Sequence, residues 1–491
     1  MSLSVASMAL SSRPLSLLAF LTTSILTLSR ANAQEAAPAA VPAATADLAQ
    51  RLDDIEQQAR IANRRAELLE EAAATKKKEA PTLQADEKGF GLSSADKAYE
   101  VKIRGLVQLD GRRHMDTSDP SLADRDTFVV RRLRPIIDGT VLGLVDFRLM
   151  PDFGNGQVAL LDGYVDAHPR PWLRLRAGKF KPPIGLERLQ NDAYLPLIER
   201  SLDSNLTPSR DVGLQLWGDV ANALVRYEIA IFNGVPDNGQ NDVDNNHAKT
   251  YAGRIFIRPF QADALRGYGD LGVGVAFSTG NEKGSSAVTN GAASNTWLGS
   301  FRSAGQDTIF SYLASTTDPN QTVFALKRHT RVNPQLYYYT GSIGLLAEWV
   351  KEYQELGKGS QTGAVNNNSG HVTLSYVIGG DNSFDGAKPR KVADWATKEL
   401  GAVEIAARYN WLDIDDVAFQ GSGLADASKS VTRAQGFDAG VNWYLSRNIK
   451  VSGNWERTTF EGGSSVTRSG AKVITNRATE NVLAGRFQVA F

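Results

Sequence analysis

From about Tyr99 to Phe491 the chain alternates apolar and polar residues with a period of two. In "YEVKIRGLVQLDG", Tyr99, Val101, Ile103, Val107 and Leu109 share one face, and Lys102, Arg104, Gln108 and Asp110 the other. "LVDFRLMPD" sets Val145, Phe147 and Leu149 against Asp146, Arg148 and Asp152, and "LVRYEIAIF" sets Val225, Tyr227, Ile229 and Ile231 against Arg226 and Glu228. The pattern returns in "LGVGVAFS", "RVNPQLYYY" and "GAVEIAARYNWLDID". It closes the chain, where Leu483, Gly485, Phe487, Val489 and Phe491 oppose Arg486 and Gln488. Neighbouring side chains of a strand point to opposite faces, so a series of strands about ten residues long is predicted. Gly/Asn/Asp/Ser-rich stretches join them, notably Asn233–Lys249 and Ser278–Asn295.

A soluble sandwich also alternates, but three features point to a membrane barrel. Aromatics recur at strand ends (Trp217, Trp349, Trp411, Trp443, Trp455 and Tyr337–Tyr339), as an interfacial girdle requires. The joining loops are long and polar, and the chain ends on an aromatic, Phe491, in an alternating segment. The fold expected is all-β: an antiparallel transmembrane β-barrel, whose length at about 25 residues per strand fits 16 strands.

The start of the chain obeys other rules. Leu15–Leu28 is apolar and is followed by Ala31-Asn32-Ala33, a small-x-small cleavage pattern. At about 14 residues it is short of the roughly 20 a spanning helix needs, so residues 1–33 read as a cleaved signal peptide. Residues 34–46 are an Ala/Pro-rich linker. Residues 47–79 carry a heptad seam (Leu48, Leu52, Ile55, Ala59, Ala62, Ala66, Leu69, Ala73) and predict a short coiled-coil helix. Such a coil offers self-association and a contact in the periplasm. Residues 80–96 read as a linker, and residues 97–491 as the barrel. No later segment is long and apolar enough for a transmembrane helix.

Composition narrows the chemistry. With 54 basic and 54 acidic residues the chain is neutral, which gives no argument for nucleic acid as a partner. Cysteine is absent, so disulfides and thiolate sites are excluded, as suits an exported chain. No phosphate-cradling glycine loop, H-E-x-x-H or G-x-S-x-G motif occurs. His114, His168, His247, His329 and His371 are scattered. Neither an enzyme nor a cofactor or metal is expected. "DNGQNDVDNN" (Asp237–Asn246) has Ca²⁺-type donors without the glycine and terminal glutamate of an EF-hand, and reads as a solvated outer loop.

If the apolar face meets lipid, the other face lines an aqueous lumen. That phase puts Arg104, Arg132, Arg134, Arg148, Arg174, Arg176, Arg226, Arg254, Arg258 and Arg408 inside, with Asp146, Asp152, Asp162, Asp166, Glu228 and Glu404. Arg131 and Arg132 cannot both face inward in a regular strand, so one is expected at the interface. In "RPWLRLRAGKFKPPIGLER" (Arg170–Arg188), basic residues gather around two prolines. Pro182-Pro183 ends the strand, and the period is lost for about 25 residues before "VGLQLWGD" resumes it. Irregular backbone cannot lie against lipid, so this segment stands outside or folds into the lumen and sets which ions pass. Arg174, Arg176, Lys179, Lys181, Arg188 and Arg200 are the expected constriction, and Arg132, Arg134, Arg148 and Arg104 extend it along the wall.

These segments resemble the phosphate-selective porins, the O and P porins of Gram-negative outer membranes. The resemblance runs from Tyr99 to Phe491 and rests on "FVVRRLRPIIDGTV", "LLDGYVDAHP", "LRAGKFKPPIGLERL", "LIERSLDSNLTPSRDVGLQL", "GAVEIAARYNWLDIDD", "GVNWYLSRNIKVSGNW" and the final Phe491. It implies a 16-stranded barrel in the outer membrane, a homotrimer, an inward third loop, an arginine-lined path and lysines marking a phosphate site. The partners implied are inorganic anions, phosphate or polyphosphate, and outer-membrane lipid. After Ile184-Gly185-Leu186, where strict phosphate selectivity calls for lysine, this chain has Gln190-Asn191-Asp192-Ala193. That favours an anion channel over a phosphate-specific one. Two other readings stand: a general solute porin whose arginines pair with Asp146, Asp162 and Asp166, and a plugged barrel that tethers the coil.

Overall fold

A computed structural model of the chain describes residues 43–115, 126–244, 246–261, 265–289, 292–293, 295–420 and 423–491. The expected signal peptide, and residues 34–42 of the expected linker, lie outside the described residues. Two compact units divide the chain, Met1–Lys77 and Lys78–Phe491. The first is represented by one helix, α1 (Ala43–Glu79), rich in Ala, Leu, Glu, Gln and Arg and free of glycine and proline. It starts four residues earlier than the heptads suggested, because alanine extends a helix at no side-chain cost. Its seam residues Leu48, Leu52, Ile55 and Leu69 are all more than half exposed. No described helix is long and apolar enough to cross a membrane.

The second unit is built on 16 strands closed into a ring. In chain order they are β1 (Glu100–His114), β2 (Thr127–Val141), β3 (Val145–Asp152), β4 (Ala159–Arg170), β5 (Leu173–Phe180), β6 (Asp211–Val220), β7 (Val225–Phe232) and β8 (Thr250–Ile257). There follow β9 (Asp270–Lys283), β10 (Val323–Thr340), β11 (Ile343–Lys358), β12 (Asn368–Ile378), β13 (Ala402–Asp413), β14 (Val431–Tyr444), β15 (Ile449–Arg468) and β16 (Glu480–Ala490). Each pairs antiparallel with its sequence neighbours. The ring closes where β16 pairs with β1, Leu483 opposite Arg113 and Val489 opposite Val107. Closure satisfies every edge, which a sheet in lipid requires.

Connections after odd-numbered strands gather at one end, here the loop end; those after even-numbered strands, with both barrel termini, gather at the other. The outward face is an apolar belt of exposed residues, among them Ile103, Leu214, Leu216, Ile229, Ile255, Val275, Leu374, Ile405, Val441 and Phe487. The inward face is polar and buried: Gln108, Gln215, Asn333, Gln335, Glu348, Arg408, Asn442 and Arg486. This is the lipid-out, water-in alternation of a membrane barrel.

Four expectations change. Residues 80–96 are not a plain linker. Thr82–Asp86 and Gly89–Ser93 form a hairpin whose second strand pairs with Glu100–Ile103 of β1, where β16 has already ended. There Phe491 exchanges backbone hydrogen bonds with Gly105 at 2.8 and 3.0 Å, and its ring meets Phe90 edge-on. A Cβ on Gly105 would lie 2.6 Å from the Phe491 ring, so only glycine seats the C-terminal aromatic. Second, β9 continues through Lys283, so Ser278–Lys283 is strand and not loop. Third, Trp217, Tyr337 and Tyr339 face inward and are buried, because each shares its phase with a polar neighbour: Gln215 or Gln335. Trp349, Trp411, Trp443 and Trp455 have the outward phase.

Fourth, the loop end is not simply polar. Residues 284–322 carry Phe301, Ile309, Phe310 and Tyr312 inward, where they pack with Leu202, Leu206, Val350, Leu356, Leu412 and Phe460. The loop end thus holds an apolar cluster inside the ring of strands.

Candidate functional site

The long connection after β5, residues 181–210, folds into the lumen. Pro182 and Pro183 remove two ladder donors, and Gly185 takes φ 81°, a left-handed value that turns the chain inward. The turn is caught by the opposite wall. The Glu348 carboxylate accepts from Leu186 N at 2.6 Å and Glu187 N at 2.7 Å, and Asn333 accepts from Gly185 N at 2.9 Å. The segment then runs across the lumen. Wall side chains hold its carbonyls: Asn442 to Pro196 O (2.7 Å), Lys450 to Leu195 O (2.9 Å), Arg486 to Ile198 O (2.9 Å) and Gln488 to Ala193 O (3.0 Å). Buried backbone polar groups must be paired, and a wall of amides and cations does this where no strand partner exists.

Charge pairs complete the docking. Glu187 meets Arg408 at 3.0 Å, Glu199 meets Arg131 at 2.8 Å, and Asp192 meets Arg132 at 3.3 Å together with Arg134 and Arg200. Burial alone would raise the Asp192 carboxyl, but Arg132, Arg200, Arg134 and Lys181 hold it well below the carboxylate range.

Between this loop and β1–β7 remains a cavity of about 280 Å³. Six basic side chains line it, Arg104, Arg134, Arg148, Arg176, Lys181 and Arg210, against three acids, Asp162, Asp192 and Glu228. At Arg104, Leu106, Ile136 and Asn191 it adjoins a wider cavity of about 460 Å³ on the turn side, bounded by Lys88, Arg447 and Phe491.

Most of the wall arginines are paired. Arg104 and Arg148 share Asp138, each at 2.7 Å, and Arg148 also approaches Asp162 at 3.9 Å. Arg176 donates to Asp166 at 2.7 Å, Arg174 bridges Asp166 (3.2 Å) and Asp146 (2.9 Å), and Arg134 meets Asp152 at 2.7 Å. Arg176 also lies over Tyr164 and Trp217, at 4.5 and 5.2 Å from the ring centroids. A guanidinium has five N–H donors, so a paired arginine still turns free donors toward the cavity. Lys181 differs. Its ammonium has no carboxylate within 4.0 Å among the described residues and donates to Gln190 O at 2.9 Å. Burial, reinforced by Arg210 and Arg200, lowers its pKa well below the ordinary lysine value.

The structure thus divides the expected constriction. Arg104, Arg134, Arg148, Arg176 and Lys181 line the cavity. Arg132, Arg188 and Arg200 lie on the other face of the loop, around a cavity of about 80 Å³ with Arg131, Arg302 and Glu199. Arg188 bonds Asn238 at 2.8 Å and Ser204 O, with no carboxylate partner among the described residues. Arg174 sits nearer the turn end. Lys179 does not line this cavity: it alternates with Phe180, which does, and pairs with Asp242 of residues 233–249 at 2.6 Å. Arg210, which the sequence reading passed over, sits where the loop rejoins the wall and meets Asp162 at 3.3 Å. Its direction is set by the loop path, so no alternation marks it.

Arg131 is not at the interface either. The register of β1 on β2 shifts between Gln108 (opposite Arg132) and Leu109 (opposite Val130), leaving Arg131 as a β-bulge. The extra residue lets both arginines point inward, Arg131 to Glu199 and Arg132 to Gln108 at 2.6 Å.

A closed barrel with an apolar belt, a polar interior and a loop folded across the lumen is the architecture of an outer-membrane channel protein. The family model for phosphate-selective porins O and P matches residues 101–491, and the chain belongs to that family. Porin O of Pseudomonas aeruginosa is 22% identical over 405 residues, covering 74% of this chain and 84% of that protein. Among solved structures, OmpT, an outer membrane protein of Vibrio cholerae, aligns at 12% identity with TM-score 0.46, over 80% of this chain and 100% of that one. The outer membrane channel DcaP of Acinetobacter baumannii aligns at 10% identity with TM-score 0.49, over 80% of this chain and 98% of its own. The protein is a porin of the Gram-negative outer membrane.

Proposed function

We propose that this porin passes anions passively, with phosphate or polyphosphate as its physiological solutes. The observation that carries the reading is the cavity beside the inward loop, lined by six basic side chains against three acids. An anion reaching it exchanges hydration water for N–H donors that the ion pairs leave free, and the excess positive charge repels cations. Lys181 and Arg210 belong to the loop itself and Arg134 reaches its Asp192, with Arg104, Arg148 and Arg176 on the wall. No covalent step is involved, and flow follows the gradient.

A second reading, a general solute porin with a balanced lumen, draws support from the pairing of Arg104, Arg148, Arg174 and Arg176 with Asp138, Asp146 and Asp166. Reversal potential across a salt gradient in a planar bilayer separates the two. Anion preference, with chloride current falling as phosphate is added, is expected. Near-equal permeabilities support the balanced porin, and cation preference overturns the anion channel. Absence of conductance would favour the tether reading.

We also propose that the mature chain begins after Ala33 and assembles as a homotrimer, its exposed α1 seam forming a three-stranded coil. Replacing Leu52 with Glu would lower the temperature at which the trimer dissociates in detergent. An unchanged temperature refutes a role for the coil.

A further inference from the structure

At the loop end of β9, β10 and β11 a buried cluster takes no part in the channel. His329 of β10, 1% exposed, lies between two carboxylates. Its Nδ1 is 2.8 Å from Glu282 Oε1 of β9, and its Nε2 is 2.5 Å from Glu352 Oε1 of β11. Asp237, from the loop after β7, brings Oδ2 to 3.7 Å from the same Nε2. Ligand atoms of Asp237, His329 and Glu352 all lie within 4.8 Å of one another. Arg331 donates from Nε to the other Asp237 oxygen at 3.0 Å.

Without a metal the charge closes only by trapping two protons: three buried carboxylates face one guanidinium, so His329 must be protonated and Asp237 must hold a proton against Glu352. A divalent cation beside a neutral imidazole balances the set. The hydrogen bonding already suits that state. Glu282 accepting Nδ1–H fixes the tautomer that turns the Nε2 lone pair toward Asp237 and Glu352, the carboxylate–histidine–metal arrangement. A separate observation points the same way. The Tyr312 hydroxyl, 9% exposed and set among Glu352, Asp237 and Glu282, meets no partner at full hydrogen-bond geometry among the described residues, Asn367 being its nearest amide. A buried polar group aimed at acids it does not bond is explained by a ligand between them.

We propose that Asp237 Oδ2, His329 Nε2 and Glu352 Oε1 bind a divalent transition-metal cation of the zinc type. Tyr312 or a water supplies the fourth ligand, and Glu282 positions His329. One imidazole with two carboxylates matches a zinc donor set rather than the all-oxygen set of calcium. The site is structural. Asn238, next to Asp237, accepts from Arg188 of the inward loop and donates its backbone N–H to Thr207 O at 2.9 Å, while Arg331 donates to Leu206 O at 3.0 Å. The cation therefore pins the outer end of the inward loop to the wall, whichever solute passes. The ligands come from four separate segments, which is why histidine spacing in the sequence gave no hint of them.

The test uses the full chain in detergent, stripped with EDTA and titrated with Zn²⁺ by calorimetry, with bound metal measured by mass spectrometry. About one zinc per chain is expected, with affinity at least tenfold weaker in Glu352→Gln and Asp237→Asn, and roughly 10- to 100-fold weaker in Glu282→Gln. His371→Gln, in the separate buried cluster of Glu187, Asp203 and His371, should leave it unchanged. Heat-modifiable gel mobility confirms that each variant is a folded barrel before titration. The proposal is overturned by less than about a tenth of a zinc per chain in the wild type, by variants that keep wild-type affinity, or by zinc lost on His371→Gln instead.

Discussion

Lys181 and Lys179 are two residues apart, yet only one of them lines the cavity, and this contrast tests the placement of the filter. A cavity of about 280 Å³ has the radius of a sphere of roughly 4 Å, so a charge on its lining acts on a central ion from about that distance. At 4 Å one unit charge is worth about 1 kcal/mol in bulk water and about 4 kcal/mol at an effective dielectric of 20. Screening is weak at this range, since the Debye length is about 10 Å at 0.1 M salt. The lower figure is the one for an ion that keeps its water, and it acts with opposite sign on an anion and a cation. Lys181→Gln should therefore cut the anion-to-cation permeability ratio by up to roughly 30-fold, about fivefold on each ion, and Lys179→Gln should leave it within experimental error. A lysine with a depressed pKa gains charge as pH falls, so wild-type anion preference should rise on acidification from the alkaline side. Lys181→Gln should lose the part of that rise that Lys181 carries. The assay is the reversal potential of purified channels under a KCl gradient at several pH values. Equal shifts in both variants, or none in Lys181→Gln, would refute the argument.

Glu348→Gln leaves one acceptor oxygen for the two N–H groups of Leu186 and Glu187, and losing a charge-assisted bond costs about 1.5–3 kcal/mol. Single-channel records of the variant should then show added current noise from a loosened loop, and a variant trace as quiet as wild type would count against this anchor. Asp192→Asn strips Arg132, Arg134 and Arg200 of a shared partner and should destabilise the barrel by about 3–5 kcal/mol, read as a lower unfolding midpoint in denaturant. In single-tryptophan variants, brominated lipid should quench Trp349 and Trp443, which face outward, and leave the buried Trp217 bright. Quenching of Trp217 would contradict its inward phase.

The class of fold was legible because a period of two is a local property: each strand announces its two faces, and lipid demands that one be apolar. The strand count followed from length, since each strand and its connection consume a nearly fixed number of residues. The same phase put Arg104, Arg134, Arg148 and Arg176 inside the lumen. It failed wherever one residue was out of step. The bulge at Arg131 turned an expected interface residue inward. Lys179 was instead read against its own phase, since alternation from Arg176 already sets it opposite Phe180. Trp217 was read by residue type as a girdle aromatic, although its phase with Gln215 already marked it as inward.

What the chain alone determined is the barrel, its two faces and the break that sends residues 181–210 out of the sheet. Only the tertiary structure decided which cations are left to act. Asp192, which looked like a missing lysine, is instead the shared counter-ion of three arginines from β2 and the loop itself. Pairing of this kind joins residues dozens of positions apart, and it depends on where an irregular loop comes to rest. The loop's position is set by contacts to strands from β10 round to β2. Local periodicity carries no record of them, because an aperiodic segment has no phase to read.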